Sequence, residues 1–169
     1  MEWKGIGPRT YLTTVSAVLK QHLYIAGTKY DALLEDYIKA ASDLIEKYVG
    51  YPITYSSATI WNDSEGKILI LPPNVNTVKS IEIWENDGWC DVDYEVNIDK
   101  KRRSTELSHA DMIKGKYKVT VTMTLNSSPN IQQCCRLLVA ESFENRENKE
   151  YKGGYDLMDR KLHMEESFV

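Results

Sequence analysis

Residues 31–49 read DALLEDYIKAASDLIEKYV, and this stretch decides the fold. Leu34, Tyr37, Ile38, Ala41, Ile45 and Tyr48 recur at steps of three and four, which places them on one face of a helix. Asp31, Glu35 and Asp36 fall in the first two turns, where negative charge suits the positive end of the helix dipole. Gly50 and Pro52 follow in the order that stops a helix. From Tyr55 the period changes to two. Strands are expected at Ala58–Trp61, Lys67–Leu71, Val78–Glu85, Trp89–Val96 and Tyr117–Leu125. Asn86-Asp87-Gly88 signals a tight hairpin between the third and fourth. Pro72-Pro73 and Asn74 mark a loop.

Outward from this pair of patterns, a shorter helix is expected upstream over Val15–Leu23. Thr13 or Thr14 caps it, Val15, Val18, Leu19 and Leu23 form its stripe, and Gly27-Thr28 ends it. Residues 1–13, with Gly5, Gly7 and Pro8, read as an irregular arm. Downstream, Ser128 caps a third helix that begins at Pro129. Its inner stripe is Ile131, Cys134 or Cys135, Leu138, Val139, Ser142 and Phe143, and Gly153-Gly154 stops it. The fold class is therefore α+β: a helical core of two N-terminal helices and a long C-terminal one, with an antiparallel sheet inserted at about 55–125. One domain is expected over 1–152. A tail, 153–169, carries Tyr155, Leu157, Met158, Leu162, Met164 and Phe168 among charges and is too short to hold structure alone.

The chain has 169 residues, three cysteines and a formal net charge of -4. That charge argues against a non-specific nucleic-acid coat, which needs a strong positive excess. Cys90, Cys134 and Cys135 are odd in number and two are adjacent, which suits a reducing compartment better than a disulfide framework or a zinc site. At least one of the adjacent pair should face the core. The N-terminus has no signal-peptide core, and no apolar run approaches the ~20 residues of a membrane span. Eleven Tyr and four Trp against two Phe suit surfaces that become buried on assembly, or equally the half-buried positions of a sheet.

Chemistry-bearing clusters are missing from the sequence. His22, His109 and His163 are scattered, and neither a nucleophile elbow nor a phosphate loop is present. Asp91, Asp93 and Glu95 alternate along one strand face and diverge, unlike the converging oxygens of a calcium loop. No catalytic, cofactor-binding or metal-binding residue is expected.

Charge layout says more. Residues 82–99 hold seven acids and no Lys or Arg, and Lys100, Lys101, Arg102 and Arg103 follow at once, then Lys114, Lys116 and Lys118. A solvated hairpin is one reading. A second is a pair of complementary surfaces, Asp87, Asp91, Asp93 and Glu95 against Lys100–Arg103, through which copies join head to tail and close a ring. A third is DNA contact by Lys100–Arg103, as in a small nucleic-acid-binding module, though the neighbouring acids cancel much of its field.

Several stretches together resemble the head–tail connector (adaptor) family of tailed bacteriophages. They are Tyr30–Ala41 continuing through Leu44–Ile53 to the Gly50-Tyr51-Pro52 turn; Leu71-Pro72-Pro73, Ser80–Ile83 and Asp87-Gly88-Trp89; and Pro129–Gln133 through Leu137–Ala140 to Phe143-Glu144-Asn145-Arg146-Glu147. The resemblance spans residues 11–150, leaving the arm, the tail and Lys100–Lys116 unmatched. It implies a non-enzymatic subunit in a ring of about twelve copies. Such a ring docks under the portal protein, extends the channel for passing double-stranded DNA and offers a platform to tail or stopper proteins. It further implies a virion neck protein, made in the host cytoplasm; separately, the tail, too short and too charged to hold structure alone, is expected to order on the portal or on a neighbouring copy. Another ring-forming neck or tail-completion subunit is the alternative.

Overall fold

The first residues form a strand, not an irregular arm. β1 (Glu2–Arg9) pairs antiparallel with β2 (Tyr55–Glu65), and Trp3 packs against the buried cluster of the sheet. Gly7 and Pro8, which look like loop residues in the sequence, belong to a register shift between Ile6 and Arg9; Gly7 adopts the left-handed φ of +82° there. Proline is tolerated because β1 is an edge strand. The computed structural model describes residues 1–66, 68–92, 97–101, 104–108, 113–125 and 129–146, with backbone only at 97–101 and 104. The chain divides into two compact units. One is Met1–Thr10 with Gly50–Leu125, the other Tyr11–Val49 with Asn126–Val169.

In the first unit, five strands run in the order β1-β2-β8-β4-β5, where β4 is Val75–Glu85, β5 Gly88–Asp91 and β8 Lys114–Met123. Their inward residues include Ala58, Ile60, Ile81, Ile83, Tyr117, Val119 and Val121, all buried. A second sheet, β3-β7-β6, is formed by Ile68–Leu71, Ser104–Ser108 and Asn97–Lys101. It adds Leu69, Leu71 and Leu107 to the same cluster. The two sheets therefore share one core, to which β2, β3, β4, β7 and β8 supply buried residues. Tyr117 is fully buried, and its hydroxyl donates to the Ile113 carbonyl at 2.9 Å, as a buried phenol requires.

β6 and β7 were absent from the sequence-based expectation for a physical reason. β7 turns only Thr105 and Leu107 inward, and charged residues crowd its partner, so no run of alternating apolar residues marks the hairpin. β2, β4 and β8 are longer than expected because cross-strand pairing carries past their apolar centres. Glu65 lies opposite Lys114, and Val75 opposite Met123.

The second unit is helical. α1 (Ala17–His22) begins two residues later than expected. Ser16, not Thr13 or Thr14, is its cap and accepts from the Leu19 N–H at 3.3 Å. α2 spans Asp31–Val49 as its periodicity predicts, and Gly50 leaves it with φ +79°. Its buried face is Leu34, Ile38, Ala41, Ser42, Ile45 and Glu46, while Tyr37 and Tyr48 are only half-buried. α3 (Pro129–Glu144) packs on α2. Both Cys134 and Cys135 are buried, with Cys135 Sγ 3.9 Å from Ser42 Oγ. The expected cap Ser128 lies outside the described residues. Among the described residues, no helix is long and apolar enough to cross a membrane.

Candidate interaction surfaces

Local chain geometry puts the acidic residues on a hairpin tip. Asn86 and Asp87 have φ of 49° and 62°, the two left-handed positions of a tight turn whose twist matches the strands. Glu85 then faces Gly88, and Trp84 faces Trp89. The two indoles meet edge to face, 5.3 Å between centroids. Asp87 and Asp91 are exposed on this edge hairpin of the five-stranded sheet. The Lys100–Lys101 backbone belongs to the three-stranded sheet, with Lys100 opposite Thr105 and Lys101 opposite Ser104. Asp93, Glu95, Arg102 and Arg103 lie outside the described residues, as do the tail residues Tyr155, Leu157, Met158, Leu162, Met164 and Phe168.

Part of the expected basic strip is consumed within the fold. Lys114, Lys116 and Lys118 alternate along β8, the central strand, between acids of its neighbours. Lys118 Nζ stands 2.8 Å from Glu82 Oε2 and 5.8 Å from the Trp89 ring centroid. Lys114 Nζ pairs with Glu65 Oε2 at 2.5 Å, and this hydrogen bond raises the lysine above its ordinary pKa. Lys116 lies opposite Asp63. The lysines at 114 and 118 thus act as cross-strand partners, a role that the linear charge run conceals. Beside them, Met1, Glu2, Trp61, Asp63, Trp89 and Lys116 border an open depression of about 420 Å³ in which aromatic rings and charges of both signs alternate.

The helical unit carries a second constellation, at the Phe143-Glu144-Asn145-Arg146 end of α3. The Asn145 N–H and Nδ2 both donate to the Glu141 carbonyl, at 3.0 and 2.9 Å, and Arg146 Nη1 donates to the Phe143 carbonyl at 2.8 Å. These bonds satisfy carbonyls that a helix end leaves open. The Arg146 guanidinium lies 4.5 Å from the centroid of the Phe143 ring, which meets Tyr30 edge to face at 5.4 Å. The last turn of α3 is thereby tied to the residue before α2.

Burial pushes the Cys135 thiol up to about 12, outweighing the hydrogen bond from Ser42 that favours the thiolate. Cys90 is exposed, and His22 lies on the surface of α1. His109 and His163 are outside the described residues. Among the described residues, no three His, Cys, Asp or Glu converge as a metal site would require.

Sequence reasoning missed the tryptophan pair, although its signal was present: a two-residue turn at Asn86-Asp87 places residues 84 and 89 opposite each other. It also missed Tyr24, for which the sequence carries no signal. Tyr24 follows α1 with φ +54° and is 98% exposed.

The chain matches the family model described as head completion protein over residues 11–154. No curated protein matches it. Among solved structures it is similar to a chain from the neck of an empty gene transfer agent particle computed with C6 symmetry. That similarity has a TM-score of 0.70 and 18% identity, over 95% of this chain and 94% of that one. It is also similar to a chain from the virion of a native gene transfer agent particle, with a TM-score of 0.66 and 19% identity over 95% of both chains. At these identities the likeness carries the fold.

Proposed function

Because this chain belongs to the head completion protein family, whose members are structural virion components and not enzymes, we propose that it joins the DNA-filled head to the tail in the neck of a phage-like particle. The family match over 11–154 is the observation that carries this reading, and the connector resemblance in the sequence points the same way. In the finer form of the proposal, copies form a ring beneath the portal, line an extension of the DNA channel and present a platform to tail or stopper proteins. The neck origin of one similar structure supports a ring, and its sixfold symmetry is compatible with about twelve copies. Subunits are made in the host cytoplasm and end in the virion.

Two contacts belong to the same proposal. Unlike charges, Asp87, Asp91, Asp93 and Glu95 against Lys100, Lys101, Arg102 and Arg103, hold neighbours together and make ring formation sensitive to salt. The apolar residues of the tail, Tyr155, Leu157, Met158, Leu162, Met164 and Phe168, dock on the portal or on a neighbouring copy. The test mixes the purified full chain with portal-bearing capsids and images the vertices by electron microscopy. Added ring density at the portal vertex is expected; portal vertices left bare at saturating protein overturn the proposal.

A further inference from the structure

The outer face of the five-stranded sheet carries a row of residues that runs across all its strands. Glu2 lies opposite Trp61, Trp61 opposite Lys118, Lys118 opposite Glu82 and Glu82 opposite Asp91. Their chain neighbours Trp3, Ile60, Val119 and Ile81 turn to the core, so the row points away from it. In the next row Asp63 lies opposite Lys116, and Trp89, two residues from Asp91, shares its side of β5. Glu2, Trp61, Asp63, Trp89 and Lys116 all border the depression of about 420 Å³, so they form one surface within one unit.

The charge of this surface survives the removal of its internal pairs. Lys118 and Lys114 are held by Glu82 and Glu65, and both pairs are set aside. Glu2, Asp63, Asp87 and Asp91 are exposed and form no ion pair among the described residues. Against these acids the face offers Lys4 and Lys116, so a negative excess remains. The rings add a second preference. Trp89 is 37% exposed, and the Lys118 ammonium already lies 5.8 Å from its centroid. Carboxylates beside tryptophan rings favour an arginine, whose flat guanidinium stacks on an indole while it bonds an acid.

Arg102-Arg103 is the one pair of adjacent arginines in the sequence. Lys101 pairs with Ser104, so these two arginines are the whole link between β6 and β7. With Lys100 and Lys101 they outnumber Asp99 and Glu106, the acids of the same hairpin. We infer that the Arg102-Arg103 link of one copy docks in the Trp61–Trp89 depression of a second copy. A guanidinium stacks on the indoles, with Glu2 and Asp63 as its carboxylate partners and Asp87 and Asp91 on the adjoining hairpin. The contact joins unlike surfaces of identical chains, so it propagates head to tail. It rests on the ring reading above and names the seat of the basic run.

Charge reversal of each half tests the contact in the full chain. The readout is the protein concentration that gives half of the portal vertices of purified capsids a ring by electron microscopy. Glu2→Lys with Asp63→Lys reverses the seat, and Arg102→Glu with Arg103→Glu reverses the tip. Each should raise that concentration at least about 30-fold, with unchanged circular dichroism. A chain carrying all four substitutions should recover by at least about 5-fold, because seat and tip are again opposite in charge. If a reversed seat unfolds the chain, Glu2→Gln with Asp63→Asn replaces it and should raise the concentration about 3-fold. Reversals that assemble like the wild type, or a fourfold variant that recovers nothing, overturn this contact while leaving the ring intact. A seat reversal that weakens assembly while the tip reversal does not assigns the seat to another basic partner and overturns it too. Vertices left bare by the wild type itself mark the failure of the ring reading, and this contact falls with it.

Discussion

The β unit and the helical unit are built on different principles. In the β unit, stabilisation is spread over two sheets. Twelve buried residues form one cluster, and every strand of the larger sheet is held by a register of backbone pairs. In the helical unit, two segments far apart in the chain meet chiefly where α2 packs on α3. Ser42 meets Cys135 there, and the buried faces of the two helices also carry Glu46 and Cys134 among aliphatic residues. The difference teaches where each unit is vulnerable. Damage to one strand is shared with its hydrogen-bonded neighbours, whereas damage to the α2–α3 contact falls on side-chain packing between two helices.

The harshest way to break this contrast is Leu138→Asp. Leu138 is buried on α3, and an unpaired carboxylate there is expected to cost about 4 kcal/mol or more. Soluble folded protein should be lost, as read by yield and thermal denaturation. A stable, soluble Leu138→Asp variant would refute the packing described for α3.

A milder change sharpens the β side. The Tyr55 ring lies so close over Gly5 that a methyl group there has no room. Gly5→Ala should therefore lower stability by about 1–3 kcal/mol, measured by urea denaturation. Tyr55→Ala in the same chain should make the added methyl nearly neutral. If Gly5→Ala is silent with Tyr55 present, β1 does not contribute to the sheet's stability.

The smallest effect concerns the thiols of α3. Cys135 has a folded pKa of about 12 against an ordinary 9.0. A raised pKa means that folding favours the protonated thiol, so this stabilisation is complete below pH 9 and fades as pH rises toward 12. The stability advantage of the wild type over Cys135→Ala should narrow between pH 8 and pH 11 in urea titrations. In the native protein at neutral pH, a thiol reagent should label Cys90 rapidly and Cys134 and Cys135 only after unfolding. Rapid native labelling of Cys135 would show that the α2–α3 contact opens readily.

Legibility in the sequence follows the same division. α2 matched its predicted bounds, and the start of α3 was marked by Pro129, because helical signals are local: a stripe every three or four residues, caps and a glycine stop. The strands with strong alternation, β2, β4 and β8, were recognised at their centres, and Asn86-Asp87-Gly88 marked its hairpin. β1 was obscured by Gly5, Gly7 and Pro8, and β6 and β7 by their charges. The functional surface was legible only in part. The acids of the hairpin were visible, but Lys114, Lys116 and Lys118 looked like a free basic strip until the strand order placed them between Asp63, Glu65 and Glu82.

The sequence by itself determined three helices, a β region between the second and third, and a connector-like order of motifs. Each of these depends on residues near one another in the chain. The tertiary structure alone decided that the opening residues complete the sheet, that two sheets share one core, which lysines are internal partners, and which indoles meet across the hairpin. Those outcomes depend on which distant strand lies alongside which, and backbone pairing across such distances leaves no local pattern to read.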